Sequence, residues 1–417
     1  MRLRRVVVTG LGALTPIGNT LQAYWDGLSN GVSGAAPITQ FDASKFKTRF
    51  ACEVKNFDPT EFIDKKEARR MDRFTQFAIV TSDEAIRDAG LTSENINPDR
   101  VGVIWGTGIG GLHTFLSEVT SFAKGDGTPR FSPFFIPMMI GDISAGMISI
   151  RHGYRGPNFV TMSACASSTN AIADAFNYIR LNKADIIVTG GSEACVNEAA
   201  MGGFNSMKAL SERNDDPQTA SRPFDLNRDG FVLGEGSGAL ILEDLDHALA
   251  RGAKIYAEVV GCGLSADAYH MTAPHPDGLG ATNVMKNALE DAGMKPEDID
   301  YINVHGTSTP LGDPQEVKAI TNIFGDHAFN INISSTKSMT GHLLGGAGAI
   351  ETIACILAVD KGIIPPTINH TTDDPAFDTR LNLTFNKAQH REVRAALSNT
   401  FGFGGHNASV IIKKFTE

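Results

Sequence analysis

Phe159-Val-Thr-Met-Ser-Ala-Cys-Ala-Ser-Ser168 is the stretch that decides the fold, because an apolar strand ends in it and a helix begins. Residues 159–162 have the composition of a buried strand, and apolar residues recur at helical spacing over residues 172–179. Cys165 therefore lies at a predicted strand-to-helix junction. The free N–H groups and the dipole of a helix N-terminus favour a thiolate there. A lone cysteine is more often a core residue, but the small neighbours of Cys165 favour a nucleophile.

Three later motifs complete a set of chemically active side chains. They are Val304-His-Gly-Thr-Ser-Thr-Pro310, Ser335-Thr-Lys-Ser-Met-Thr-Gly-His342 and Ser398-Asn-Thr-Phe-Gly-Phe-Gly-Gly405. With Cys165 they supply one thiol, two histidines and one lysine, all in loops of small residues. This combination predicts chemistry on thioesters, in which a cysteine carries an acyl group.

The composition narrows the class of protein. The chain has 417 residues, a formal net charge of −10 and 42% hydrophobic residues, which is ordinary for a globular protein and argues against a broad nucleic-acid surface. No apolar run reaches the ~20 residues of a membrane helix, and the N-terminus lacks the pattern of a signal peptide. The five cysteines show no CxxC spacing, so neither a disulfide framework nor a zinc site is indicated. We expect a cytoplasmic protein without membrane insertion.

Apolar runs alternate with amphipathic stretches along the whole chain, which predicts layered α/β structure. A weak internal echo joins residues 8–12 to residues 260–263, since both place Gly-x-Gly after a strand. Neither copy completes the Gly-x-Gly-x-x-Gly pattern of dinucleotide-binding folds.

The four motifs, in this order, resemble those of the β-ketoacyl-acyl carrier protein synthases, the condensing enzymes of fatty acid synthesis. The pair of histidines resembles the active site of the elongating enzymes of the family, whereas the initiating enzymes have a histidine and an asparagine. The resemblance covers essentially the whole chain. It implies a duplicated, thiolase-like α/β fold of five layers, αβαβα. It also implies an N-terminal half over residues 1–252 and a C-terminal half over residues 253–417.

The resemblance assigns roles in catalysis. Cys165 carries the acyl chain, and the backbone N–H groups of Cys165 and Phe401 stabilise the oxyanion. His305 and His342 bind the thioester carbonyl of a malonyl group during decarboxylation. Lys337 orients His342, and Glu351 pairs with Lys337 or anchors a water.

The resemblance also assigns substrate and partner contacts. The expected partner is an acyl carrier protein, whose 4′-phosphopantetheine arm Thr307 and Thr309 bind. The residues expected to bind the acyl chain are Ile109, Phe135, Phe204 and Phe403, with the ring of Phe401 as a gate. The basic residues expected to dock the acidic carrier are Lys65, Lys66, Arg69, Arg70, Arg130 and Lys208. A homodimer is implied as well.

No cofactor is expected for the chemistry itself. A structural Na⁺ or K⁺ is implied at positions that hold a cation in relatives, namely Asn303, Glu351, Ser398 and Asn399. One departure from the family pattern is His406, which stands where threonine is more common and adds an ionisable group near the site.

Three other interpretations stay open at this point. A standalone ketosynthase of polyketide assembly would use the same chemistry on a different acyl group. A non-catalytic chain-length subunit would lack the nucleophile, whereas Cys165 is present. A thiolase would need a second cysteine in a Gly-rich loop, and none is found.

Overall fold

Buried apolar runs become strands and amphipathic stretches become helices in the computed structural model, which describes residues 3–416. The strands are β1 Val6–Leu14, β2 Ala36–Pro37, β3 Phe50–Ala51, β4 Val101–Gly106, β5 Asn158–Thr161, β6 Ile186–Glu193, β7 Gly236–Asp244, β8 Ala257–Ala266, β9 Tyr301–Asn303, β10 Asn332–Ser334, β11 Ile363–Ile364, β12 Gln389–His390, β13 Ala395–Gly402 and β14 His406–Lys413. The helices are α1 Leu21–Ser29, α2 Lys65–Ala68, α3 Arg73–Asp88, α4 Leu112–Lys124, α5 Phe135–Met139, α6 Ile143–His152, α7 Ser167–Arg180, α8 Glu198–Ser206, α9 Leu245–Ala250, α10 Leu279–Ala292, α11 Gly312–Phe324, α12 Lys337–Thr340 and α13 Ala347–Lys361.

The main sheet repeats one strand order twice. Its ten strands run β10-β9-β13-β14-β8-β1-β7-β6-β4-β5. The main-sheet strands of the N-terminal half are, in chain order, β1, β4, β5, β6 and β7, and those of the C-terminal half are β8, β9, β10, β13 and β14. From the outer edge inward, both halves have the order third, second, fourth, fifth and first strand. In each half the second strand lies parallel to the third and fourth, and the remaining pairs are antiparallel. The sequence echo at the start of each half therefore reflects a duplicated arrangement.

The two halves meet where β1 pairs with β8. The pairing covers Val6–Val8 against Val259–Ala257. Beyond Val8, β1 no longer pairs with β8, and two carboxylates of α3 accept from its N–H groups. Asp88 accepts from Leu11 and Glu84 accepts from Ala13, each at 2.9 Å. Because buried backbone donors need partners, these two acids of α3 allow the two halves of the sheet to separate.

Helices α7 and α13 lie between the two halves of the sheet and contact strands of both. Helix α13 is buried on every side over residues 347–359, as its nearly continuous apolar sequence requires. Helices α3 and α6 cover the outer face of the N-terminal half, and α10 and α11 cover that of the C-terminal half. The predicted five-layer αβαβα fold is confirmed. Within residues 3–416, each helix is too short or too polar to cross a bilayer.

Candidate active site

Cys165 lies in a tight turn between β5 and α7, as the sequence predicts. The 3₁₀ turn Ala164–Ala166 begins with Ala164 in a left-handed conformation, at φ 51°. Hydrogen bonds hold this strained residue in place: the hydroxyl of Ser167 accepts from the Ser163 N–H at 2.9 Å and donates to the Ala164 carbonyl at 2.7 Å. The turn places the thiol in the wall of a cavity of about 560 Å³.

Both histidines lie in the same cavity. The Nε2 atom of His342 is 3.0 Å from the Cys165 sulfur. The rings of His305 and His342 are 5.3 Å apart and nearly perpendicular. One thiol and two imidazoles therefore converge on a space that a thioester group can enter.

The ionisation of Cys165 differs from the sequence-based expectation. Burial raises the pKa of the thiol to about 12, although the positive charge of Lys337 and the backbone N–H of Phe403 oppose this. Only 7% of the residue is exposed, so a thiolate loses nearly all of its hydration. Burial therefore favours the protonated thiol, which opposes the effect on the pKa that was expected from the helix N-terminus.

Burial also determines the state of the histidines. It is the largest cause that lowers the pKa of His305 and His342 well below 6.5, and the charge of Lys337 lowers both further. Both rings are therefore neutral at physiological pH. Within residues 3–416, the Nδ1 atoms of the two rings have no hydrogen-bond partner.

Lys337 and Glu351 form a buried ion pair, which was one of the two expected arrangements. Lys337 is 1% exposed and Glu351 is fully buried. Burial raises the pKa of Glu351 to about 7, against the opposing charge of Lys337. The charge of Lys337 also acts on Cys165 and both histidines, so the pair contributes to the electrostatics of the whole cavity.

One backbone N–H group forms a hydrogen bond with the Cys165 thiol, and the expected oxyanion role of the Phe401 N–H stays a prediction. The N–H group that faces the Cys165 sulfur belongs to Phe403 and not to Phe401. Phe401 lies within β13, opposite Asn407 of β14, and its ring is 5.6 Å from that of His305. Gly402 lies between Phe401 and Phe403 in the chain. It packs so closely on the Cys165 turn that a Cβ atom there would lie 2.7 Å from the Ser163 carbonyl oxygen.

Most of the predicted substrate residues line the cavity, and one does not. The residues found in its wall are Ile109, Phe204, Thr307, Thr309, Phe401 and Phe403. Among the described residues, Phe135 is absent from the wall, because it lies on α5 and its ring stacks on Phe131 at 5.5 Å. Phe135 therefore lies outside this cavity of the single chain, and its contact with the acyl group stays a prediction.

The predicted docking residues are all exposed but occupy separate places. Lys208 lies in the wall of the cavity. Lys65 and Lys66 lie on α2, with Arg69 and Arg70 directly after it, and Arg70 stacks on the ring of Phe134 at 4.8 Å. Arg130 forms an exposed ion pair with Asp126. His406 is also exposed and begins β14, whereas the next residue, Asn407, faces the cavity.

Two buried carboxylates near the site were missed in the sequence. Glu316 of α11 accepts from the N–H groups of His305 and Gly306, each at 2.8 Å, and so fixes the loop that carries the histidine. Glu193 accepts in the same way from Gly108 and Gly345, which flank the cavity. The sequence contained one signal for Glu193: it is an acidic residue in a segment whose other residues are apolar or small, at the end of β6.

Two models of one family match the chain. The β-ketoacyl synthase N-terminal domain matches residues 3–248, and the β-ketoacyl synthase C-terminal domain matches residues 256–371. The chain is a β-ketoacyl synthase. This family assignment agrees with the arrangement of one cysteine and two histidines in the cavity.

Two relatives of similar sequence indicate which members of the family this β-ketoacyl synthase resembles. It is 54% identical over 412 residues to a 3-oxoacyl-[acyl-carrier-protein] synthase 2 of Synechocystis sp., which covers 99% of this chain and 98% of the relative. Identity to the protein of the same name from Staphylococcus aureus is 50%, with 99% of both chains covered.

Solved ketosynthase structures share the fold. The ishigamide ketosynthase/chain length factor superimposes with a TM-score of 0.92 at 36% identity, over 99% of this chain and 100% of that chain. A β-ketoacyl synthase from Burkholderia phymatum gives a TM-score of 0.92 at 34% identity and the same coverage.

Proposed function

We propose that this β-ketoacyl synthase is an acyltransferase of fatty acid elongation, which joins a malonyl unit to an acyl chain held on Cys165 and releases CO₂. The observation that supports this most strongly is the 3.0 Å approach of His342 Nε2 to the Cys165 sulfur, with His305 in the same cavity. The names of the relatives from Synechocystis and Staphylococcus agree with this reaction.

In the first step, the Cys165 sulfur attacks the thioester carbonyl of the incoming acyl group. The thiol proton passes to Nε2 of His342 and from there to the departing thiol, so a new C–S bond replaces the old one. The N–H of Phe403 is the backbone donor beside the sulfur, where charge develops on the carbonyl oxygen. The high pKa of the thiol makes this transfer to His342 necessary.

In the second step, a malonyl thioester occupies the space beside the two imidazoles. The bond to its carboxylate breaks, CO₂ leaves, and the electron pair forms an enolate. Neutral imidazoles donate N–H hydrogen bonds to the enolate oxygen, where charge is greatest in the transition state. His342 accepts at Nε2 in the first step, so it has to change to its Nε2–H tautomer before it donates in the second. The carbanion then attacks the acyl carbonyl on Cys165, so a C–C bond forms and the cysteine leaves as thiolate, which takes up a proton.

We propose an acyl carrier protein as the partner that delivers both groups. Thr307 and Thr309 line the cavity with their hydroxyl oxygens 3.3 Å apart, where the polar 4′-phosphopantetheine arm can form hydrogen bonds. Lys208 lies on the cavity wall, and the α2 patch of Lys65, Lys66, Arg69 and Arg70 offers positive charge on a chain of net charge −10. The solved structures that share this fold include a type II polyketide acyl carrier protein in complex with its ketosynthase.

We also propose a homodimer. Exposed apolar side chains concentrate on α4, α5 and the segment between them, where Phe115, Phe122, Phe131, Phe134 and Ile136 are each at least 37% exposed. Strand β5, at the end of the main sheet, adjoins the turn that carries Cys165. Ile136→Glu should shift the sedimentation of the protein to that of a monomer, whereas Leu249→Glu, on the exposed side of α9, should not.

The predicted cation site has suitable oxygen atoms. Within residues 3–416, Asn303 Oδ1, Ser398 Oγ and Glu351 Oε2 are buried and have no hydrogen-bond partner. The Asn399 side-chain oxygen accepts from Ser409. We propose that the first three residues would hold Na⁺ or K⁺, which would supply positive charge beside the Lys337–Glu351 pair. Thermal stability should rise with KCl over choline chloride, and Ser398→Ala should remove the difference.

The remaining proposals concern organisation and location. The repeated strand order supports a division into residues 1–252 and 253–417. All five cysteines are free thiols, which supports a reducing compartment such as the cytoplasm.

The experiment that tests the function is intact-protein mass spectrometry with acyl carrier proteins of several chain lengths, followed by malonyl carrier. Wild type should gain an acyl group and release it as β-ketoacyl product, and Cys165→Ala should gain none. Loading by polyketide intermediates alone would favour a polyketide ketosynthase. The absence of any adduct would contradict the proposed reaction.

A further inference from the structure

Glu193 is a fully buried carboxylate at the end of β6, in a strand whose other residues are apolar or small. A buried acid of this kind needs several hydrogen-bond donors. It accepts from the N–H groups of Gly108 at 2.7 Å, Ile109 at 3.2 Å and Gly110 at 3.2 Å. It also accepts from the Gly345 N–H at 3.0 Å.

These bonds join two loops on opposite halves of the molecule. The Oε2 atom of Glu193 accepts from both Gly108 and Gly345, so a single oxygen bridges the loop after β4 and the turn before α13. The two loops are in close contact, since a Cβ atom on Gly345 would lie 2.1 Å from the Gly108 nitrogen. The hydroxyl of Thr107 donates to the other oxygen of the carboxylate.

Both loops supply residues to the cavity wall. Ile109, 40% exposed, lies between the two glycines whose N–H groups Glu193 accepts, and it lines the cavity beside Cys165. Leu344, adjacent to Gly345, lines it as well. Any movement of Ile109 by its backbone therefore has to break bonds to Glu193.

We propose that Glu193 is a positioning residue that fixes Ile109 in the cavity wall and thereby sets which acyl chain lengths reach Cys165. The inference extends the proposed function, because it concerns the substrates of that same site. Burial raises the pKa of Glu193, but all of the named polar contacts to the carboxylate are donors, which favours the ionised form. Replacement by glutamine turns one acceptor oxygen into an NH₂ group, which leaves part of the loop without a partner.

The charge of Glu193 also acts on the nucleophile. It is one of the causes that raise the pKa of the Cys165 thiol. Removal of this charge should lower that pKa, an effect that a purely structural role would not produce. The pH dependence of alkylation therefore provides a second, independent measurement.

The test compares wild type, Glu193→Gln and a matched control, Glu84→Gln. Glu84 is also a largely buried carboxylate whose pKa is raised by burial, and it accepts from the N–H groups of Ala13 and Leu21 away from the cavity wall. Acylation rates of Cys165 are measured with hexanoyl and myristoyl carriers. In Glu193→Gln the myristoyl-to-hexanoyl ratio should rise about five-fold, and the ratio in Glu84→Gln should equal that of wild type.

A second measurement uses no carrier protein. Iodoacetamide and its N-dodecyl derivative alkylate Cys165. In Glu193→Gln, the alkylation rate of the long probe should increase relative to that of the short probe. The midpoint of the pH dependence of alkylation should move to lower pH. Unchanged ratios and midpoint in a folded Glu193→Gln protein would overturn the inference. If that variant does not fold, the isosteric Thr107→Val, which removes one donor to Glu193, should change the ratios in the same direction, and no change would overturn it.

The outcomes separate this inference from the proposed function. A wild type that no acyl carrier loads would contradict the function. The alkylation measurements would still decide whether Glu193 controls access to Cys165.

Discussion

The two halves of the molecule share a turn of the same shape, but only one of the turns is reactive. In each half a 3₁₀ turn leads from the third strand to a central helix: Ala164–Ala166 before α7, and Leu344–Gly346 before α13. Each turn begins with a non-glycine residue in a left-handed conformation, Ala164 at φ 51° and Leu344 at φ 47°. The position taken by Cys165 in the first turn is taken by Gly345 in the second.

The difference between the two turns shows how a duplicated fold can supply two different sets of side chains to one cavity. In the N-terminal half, the chain passes from β5 to the turn within two residues, and the nucleophile stands at the helix start. In the C-terminal half, residues 335–343 intervene. They place His342 in the cavity wall, and they bring the charge of Lys337 close enough to act on Cys165 and both histidines. In the proposed mechanism, the N-terminal half thus holds the acyl group and the C-terminal half activates the malonyl group.

The loops after the second strands follow the same division. After β4 comes Ile109, in a loop bound to Glu193, and after β9 comes His305, in a loop bound to Glu316. A buried carboxylate therefore fixes the equivalent loop in both halves. Both loops line the cavity; in the proposed mechanism, the first contacts the acyl chain and the second carries a hydrogen-bond donor for the reaction.

The largest expected effect separates the tasks of the two halves. His305→Ala should lower the rate of condensation about a hundredfold or more, because a donor to the enolate oxygen is lost. Acylation of Cys165 should proceed, since that step uses His342 and the N–H of Phe403. Rapid-quench assays of acylation and of β-ketoacyl formation measure the two steps, and equal loss in both would contradict the division.

The second prediction concerns the segment that only the C-terminal half contains. Lys337→Met leaves Glu351 buried without its partner, which should lower the free energy of unfolding by about 3 kcal/mol. The pKa values of both histidines should rise, because the charge of Lys337 lowers them. Urea unfolding gives the first quantity and NMR titration the second.

The control for this prediction is the double variant Lys337→Met/Glu351→Leu. It removes both charges and should recover much of the lost stability. A double variant no more stable than Lys337→Met would show that the ion pair is not the source of the loss.

The third prediction tests whether the two turns are interchangeable. Gly345→Ala places a Cβ atom 2.1 Å from the Gly108 nitrogen, so backbone has to move and stability should fall by about 1–3 kcal/mol. Gly203→Ala is the control, because a Cβ there meets nothing within 4 Å and the residue lies in helix α8. Thermal unfolding of both variants decides the matter, and equal melting temperatures would contradict the close packing of the second turn.

The smallest expected effect is a pH dependence of stability. Burial raises the pKa of Glu316 from 4.5 to about 7. The folded protein therefore holds this proton more tightly than the unfolded chain, so the contribution is present in full below about pH 4.5 and is lost as the pH rises toward 7. Glu316→Gln should flatten the decline of unfolding free energy over this window by up to about 1 kcal/mol per pH unit. An unchanged slope in urea titrations at several pH values would contradict a raised pKa.

Local sequence patterns were sufficient for the elements that carry the chemistry. The apolar strand and the helical spacing around Cys165 predicted its turn, and the spacing of Lys337 and His342 placed both in one loop. The hydrogen bond from the Phe403 N–H to the thiol was not predicted, because it depends on where β13 ends, which local composition does not show. Local composition also does not show that Phe135 lies outside the cavity of the single chain, because apolar residues that line a cavity and apolar residues elsewhere on the surface have the same sequence pattern.

The remaining features depend on contacts between distant segments. Glu193 accepts from loops that are far away in the sequence, and the pKa of Cys165 depends on how completely the folded chain buries it. Neither can be read from a short stretch, because burial is a property of the folded chain.

The most direct test of the central claim is to measure CO₂ release and β-ketoacyl formation together for Cys165→Ala with malonyl carrier protein. The account predicts that β-ketoacyl product disappears while CO₂ release continues, because His305 and His342 of the C-terminal half activate the malonyl group without the thiol. His305→Ala should show the reverse order of loss, with CO₂ release reduced first. If Cys165→Ala abolishes CO₂ release together with product, the two halves do not have separate tasks and the account is contradicted.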